Sequence, residues 1–211
     1  PPRSTLFPYT TLFRSQISSH FFYHTLNAIQ ALIVLDPESA YTMTEDFSRF
    51  LRFKVDSVSA EDGLVPFREE LRTVRAYAEI NRIQLGERLK MEYDVPEEEF
   101  MIPVLTVQPI VENAIIHGIK PKVGGGTVRV RLNIGEDFYE ITVEDDGVGY
   151  LPGDEQAGRS VGIRNIHVRM EKYPGCSVSV TSEPGRGTRL TLRYPRALCR
   201  GTDAVEKAGN R

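Results

Sequence analysis

Cysteine is nearly missing from this chain of 211 residues: Cys176 and Cys199 are the two present. They fit no metal-ligand spacing and no disulfide framework, which points to a reducing, cytosolic setting. Long apolar runs are missing too. The longest stretch, over 28–35, falls well short of the roughly 20 residues a membrane-spanning helix needs. Nor is there an excess of either charge: 26 Lys and Arg against 29 Asp and Glu leave a net charge of −3. That balance gives no electrostatic footing on nucleic acid or on an anionic membrane, and the two signs are interspersed as on a solvated surface. What remains is ordinary globular content, 40% hydrophobic, in a length that suits one large domain or two small ones.

Residues 1–15 hold three prolines and no acidic residue. They follow no helical or strand period, resemble translated adaptor sequence, and are expected to be a non-native or disordered leader outside the fold. Over 16–35 the apolar residues Phe22, Leu26, Ile29 and Ile33 recur at helical spacing. Asp36-Pro37 breaks that helix. A second helix is expected over 43–55, with Phe47, Phe50 and Leu51 on one face. A third runs over 66–85, opened by Pro66 and carrying Phe67, Leu71, Val74 and Ala78. So few helices leave apolar stripes that a second copy would cover, so a homodimeric bundle is expected.

After Gly86 the period shortens. Strands are expected over 90–95, 127–133, 138–144, 177–182 and 188–194, and helices over 106–118 and 162–173. The class is therefore α+β: an N-terminal helical segment over 16–88, then a two-layer α/β sandwich over 89–196 with a mixed, largely antiparallel sheet. Residues 197–211 are polar and aperiodic and are expected to form a disordered tail.

Four stretches carry chemistry. On the helix over 106–118, Val107, Ile110, Val111, Ala114 and Gly118 form a buried stripe. Asn113 and His117 lie one turn apart at its edge, with Glu112 about 100° away. Asp145-Asp146-Gly147-Val148-Gly149 follows a strand, so a carboxylate precedes glycines that let backbone approach a ligand. Gly158-Arg159-Ser160-Val161-Gly162 leads into a helix whose first N–H groups suit phosphate oxygens. Gly185-Arg186-Gly187-Thr188 is a glycine-rich hairpin loop ending in a hydroxyl. Alone, each reads as a turn or a solvated helix face.

In this order the four resemble the Bergerat-type (GHKL) ATP-binding fold. The stretch from Gln108 to Ala114 with His117-Gly118, and that from Ser160 to Ile166 with Arg169, resemble LytS/YehU-type sensor histidine kinases. The stretch from Gln16 to Asn27 resembles the phosphoacceptor box of that family. The likeness covers 16–195. It implies that Asn113 coordinates Mg²⁺ bridging the phosphates of ATP, and that Asp145, aided by Thr188 through a shared water, accepts the adenine amino hydrogen. Gly147, Gly149 and Gly187 would admit the base, while Gly162, Arg164 and Asn165 would face the phosphates. His117 takes one of three parts: contacting phosphate, orienting Glu112, or capping the helix.

By the same resemblance His20 attacks the γ-phosphorus, with Glu112 as candidate base because no acid stands beside His20. The implied function is autophosphorylation in a homodimer and transfer to the aspartate of a cognate response regulator, from the cytoplasmic portion of a membrane-anchored bacterial sensor. Two departures stand out: Ser19 where the family has Pro, and His24 where it has Asn. His24 lies one turn from His20 and is a rival acceptor. The departures also leave open a degenerate ATP-binding module that transfers little phosphate. An ATP-hydrolysing clamp is disfavoured by the His box.

Overall fold

The computed structural model of the chain describes residues 19–59, 63–151 and 157–199; the side chains of 19, 20, 57–59 and 157–161 lie outside that description. The leader expected over 1–15 and most of the expected tail, 200–211, lie outside it as well. Helix α1 (Ser19–Leu35) stops before Asp36-Pro37, as the sequence leads one to expect. Asp36 then starts α2 (Pro37–Ser59), accepting hydrogen bonds from the Ser39 hydroxyl (2.6 Å) and the Ser39 N–H (3.2 Å). Those bonds satisfy a donor the helix start leaves open, and they hold the Asp36 carboxyl below its ordinary pKa. With that cap α2 extends beyond 43–55 at both ends.

Two short strands escape the sequence pattern: β1 (Leu64–Pro66) pairs antiparallel with β3 (Met101–Pro103). Three residues are too few for alternation to show. Pro66 accordingly closes β1 instead of opening the next helix, α3 (Phe67–Leu85). Gly86, at φ 58°, ends α3 by donating its N–H to the Arg82 carbonyl. Without a Cβ this left-handed turn is cheap. After it come a 3₁₀ turn and β2 (Leu89–Asp94).

The remaining elements are α4 (Gln108–Asn113, continuing as a π-turn over Ala114–Ile119), β4 (Gly126–Ile134), β5 (Phe138–Asp145), α5 (Ala157–Glu171), β6 (Ser177–Glu183) and β7 (Gly187–Pro195). One five-stranded sheet has the order β2-β4-β5-β7-β6, parallel between β2 and β4 and antiparallel elsewhere. The expected mixed sandwich is what forms. Its inner face carries Val128, Val130, Ile141, Val143, Leu190 and Leu192, all buried. Ile110, Ile115 and Ile119 of α4 and Ile166 and Met170 of α5 join the same buried core. The chain past Ala197 departs from expectation: Arg196–Cys199 forms α6, and Cys199 is 1% exposed. The buried Cys199 and the partly buried Leu198 anchor a turn too short to show a period.

Helix α3 belongs to both halves. Its first residue, Phe67, stacks on Phe100 (4.8 Å between centroids), which stacks on Tyr139 of β5 (4.0 Å). Further along, Tyr77 packs on Phe21 of α1 and Phe50 of α2. Between these, Glu70 is fully buried, and one of its oxygens accepts hydrogen bonds from the N–H groups of Val107 (2.7 Å) and Gln108 (3.0 Å). A residue of α3 thus caps α4.

Burial pushes the Glu70 carboxyl up to about 7, against the lowering effect of those backbone N–H groups. An acid whose pKa is raised on folding costs stability where it is ionised. The folded state therefore gains most below the unfolded value near 4.5 and loses that gain as pH rises through about 7. Glu70→Gln, which keeps an acceptor for both N–H groups, should flatten this pH dependence by on the order of 3 kcal/mol. Urea denaturation of both chains at pH 5 and pH 8 measures it.

Candidate functional site

A cleft opens between α4, the end of β5, β7 and α5. Ile110, Ala114, Val143, Ile163 and Leu190 make its apolar walls, and Asn113, His117, Asp145, Tyr150 and Thr188 supply its polar groups. Few polar groups converging on an apolar cleft is the usual design of a site for a flat organic ligand.

The spacing in the sequence puts Asn113 and His117 on one edge of α4, and the structure turns both into the cleft. The change from α to π winding at Ala114 lies between them, and such widened turns are frequent at functional sites. The Asn113 side-chain nitrogen is buried without a hydrogen-bond partner in the protein. A Cβ built on Gly162 would stand 2.7 Å from that nitrogen, so α5 approaches the amide only because residue 162 is glycine. A buried amide left open in a cleft calls for a ligand.

Asp145, the last residue of β5, is 5% exposed and accepts the N–H of Gly147 at 2.9 Å. It sits beneath the helix end: a Cβ on Gly118 would meet its carboxylate oxygen at 2.5 Å. Thr188 is its cross-strand partner on β7, and the Thr188 hydroxyl lies 2.9 Å from that of Ser182. Ser182 also accepts the Tyr150 N–H at 3.0 Å. Val148 donates to the Gly118 carbonyl, and Gly185 donates to that of Val148. The loop over 146–150 is thereby sewn between α4 and the β6–β7 turn.

Of the expected residues, Asn113, His117, Asp145, Gly149 and Thr188 line the cleft together. Gly147 packs under it against Gly118, and Gly187 against the Asp145 backbone. Arg164 and Asn165 are exposed on α5. Glu112 stands off the lining, half-buried: its carboxylate accepts a hydrogen bond from the Gln108 amide and lies 3.2 Å from the Lys54 ammonium of α2. His20 lies on the first turn of α1, with its side chain outside the described residues; His24 is exposed. Asp146 accepts the Thr127 N–H at 2.9 Å and pairs with Lys122 at 3.4 Å, a structural part at the cleft's margin.

Sequence reasoning missed Lys54, Tyr150, Ile163 and Ser182. The symmetry of the hairpin about Gly185 could have exposed Ser182, which faces Thr188 in register. Lys54 gave no signal, being a lysine on an amphipathic helix.

No group of His, Cys, Asp or Glu among the described residues could hold a metal by itself. The donor set does suit Mg²⁺ shared with a polyphosphate, since this ion commonly takes one or two protein ligands plus phosphate oxygens. Asn113 is the residue placed to supply one. The close approach at Gly118 yields a test: Gly118→Ala, with its methyl 2.5 Å from the Asp145 carboxylate, should lower unfolding free energy by about 1–3 kcal/mol. Chemical denaturation reads this directly.

Residues 10–89 match the family described as "Histidine kinase", and residues 103–198 match "Histidine kinase-, DNA gyrase B-, and HSP90-like ATPase". The chain is similar to YwpD of Bacillus subtilis (strain 168), 35% identical over 187 residues that make up 85% of this chain and 67% of YwpD. It is 33% identical over 191 residues to the sensor histidine kinase YpdA of Escherichia coli (strain K12), which covers 86% of this chain. It spans 33% of YpdA, about a third of that relative's length. The histidine kinase domain of the Erythrobacter litoralis EL346 blue-light activated histidine kinase shares the fold, with TM-score 0.51 at 20% identity over 76% of each chain.

Proposed function

We propose, on the premise that this chain belongs to the LytS/YehU-type sensor histidine kinase family, that it transfers the γ-phosphoryl group of ATP to His20 and from there to a response-regulator aspartate. The observation that carries the reading is the convergence of Asn113, Asp145, Gly149 and Thr188 on one apolar cleft. Asp145 is set to accept the adenine amino hydrogen, with the Thr188 hydroxyl beside it. Ile110, Val143 and Ile163 would flank the base. The Asn113 amide oxygen would ligate Mg²⁺ together with the phosphates, and its open N–H group would donate to a phosphate oxygen. That ion, when bound, neutralises phosphate charge.

Residues 16–88 act in this reading as the dimerisation and phosphoacceptor region, and residues 89–196 as the nucleotide domain. The His20 imidazole forms a nitrogen–phosphorus bond as the bond from the γ-phosphorus to the bridging oxygen breaks and ADP leaves. Glu112 is the candidate to take the proton from the other ring nitrogen. In-line positioning supplies most of the acceleration in such transfers. Among the described residues no helix is long and apolar enough to cross a membrane. We place this part of the protein at the cytoplasmic face, with any anchor elsewhere in a longer protein.

Incubation with γ-labelled ATP and Mg²⁺ tests the reading. The expected label is acid-labile and base-stable, persists in His24→Ala and is lost in His20→Ala. Label that survives in His20→Ala but vanishes in His24→Ala overturns the choice of acceptor. Nucleotide binding with no label at all points to the non-catalytic module.

The homodimer has its own support. Tyr23, Leu26, Ile33 and Val34 share one face of α1, and all are exposed, Val34 by 83%. An exposed face this apolar, with Gln30 alone between these four side chains, is costly in water, and a second copy of the hairpin would cover it. Ile33→Glu should shift the chain from dimer to monomer in sedimentation velocity while leaving ATP binding intact.

A further inference from the structure

We propose that Lys54 is a latch on Glu112: the ion pair between α2 and α4 holds a resting arrangement that must open before phosphoryl transfer. The proposal rests on the reading of Glu112 as the base. Lys54 is 5% exposed, although its helix otherwise turns its charges to solvent at Arg49 and Arg52. Its ammonium sits 3.2 Å from a Glu112 oxygen and 5.6 Å from the centre of the Phe50 ring. A lysine so enclosed needs a counter-charge, because a buried cation without one is strongly destabilising.

The oxygen that Lys54 faces is already taken. The Gln108 amide donates to the same atom, and Gln108 is itself 0% exposed. A general base must be free to turn toward the ring it serves, and a carboxylate pinned at one oxygen is not. In this arrangement that oxygen of Glu112 is held by two donors, one of them charged. Lys54 lies on the second helix of the hairpin whose first helix carries His20, and Glu112 immediately precedes Asn113 of the cleft. The pair therefore adds a charged tie between the phosphoacceptor hairpin and the nucleotide helix. Anything that shifts α2 relative to α4 would withdraw the charged donor from the carboxylate, leaving only the Gln108 amide on it, and loosen the hairpin in the same movement.

The test compares the full chain with Lys54→Met, which fills the same space without charge, and with Lys54→Arg, which keeps it. In Lys54→Met, autophosphorylation at saturating ATP should start at least about fivefold faster. Amide hydrogen exchange over 108–119 should rise, and affinity for a fluorescent ATP analogue should not change. Lys54→Arg should behave as the unaltered chain. If Lys54→Met loses its helical circular dichroism, Lys54→Gln takes its place. Unchanged exchange over 108–119 overturns the latch, as does a rate that fails to rise while Glu112→Gln is slow. Glu112→Gln labelling at the unaltered rate instead removes the base reading, and the latch then stands or falls on the exchange measurement alone.

Discussion

Helix α4 is held at each end by close contacts, and the cleft takes its shape from them. At the start, two N–H groups end on one oxygen of the buried Glu70, reaching over from α3. At the far end, Gly118 has no side chain and lets the helix settle on the Asp145 carboxylate. Between these points the helix widens into its π-turn, and Asn113 and His117 face the same space as Asp145 and Thr188. Loosen either contact and the amide of α4 and the carboxylate of β5 no longer share a cleft. The cost is visible at Glu70, whose second oxygen is buried without a partner; a full desolvation penalty is accepted there in exchange for a fixed helix.

Helix α3 joins the two parts of the chain. Aromatic stacking runs from Phe21 and Phe50 through Tyr77 at one end of α3, and from Phe67 through Phe100 to Tyr139 at the other. The apolar core is continuous across the point where the sequence changes period. In this arrangement the hairpin does not hang from a linker. It bears on α4 through the buried Lys54, while α3 bears on the same helix through the buried Glu70. Buried charges are expensive to leave unpaired, so they are the contacts most sensitive to a small displacement. The outer sheet face is the opposite case: pairs such as Arg189–Glu144 and Arg193–Glu140 are partly exposed and add little stability. They keep that face polar.

Much of the architecture was legible because long elements repeat their pattern. The alternation of Val128, Val130 and Leu132 or of Tyr139, Ile141 and Val143 marks strands with one buried face, and the structure places them so. What short elements do was not legible. β1 and β3 have three residues each and exist because they pair with one another, a non-local fact. The turn at Arg196–Cys199 rests on Cys199 and Leu198, both packed on the core. Pro66 suited a helix start on local grounds and became the end of a strand, because pairing with Met101 outweighed the preference.

For the site, the sequence by itself determined which residues are chemically special: a carboxylate before glycines, an amide and an imidazole one turn apart, a hydroxyl after a glycine loop. Those choices are local, since they follow from backbone freedom and helix pitch. Only the tertiary structure decided which of them meet. Asn113, His117, Asp145, Gly149 and Thr188 share the cleft, while Arg164 and Asn165 face solvent and Glu112 is held by Lys54 from another helix. The reason is physical. Charge pairing and burial depend on what packs alongside, and residues 58 positions apart in sequence, such as Lys54 and Glu112, become neighbours only when α2 and α4 share a core.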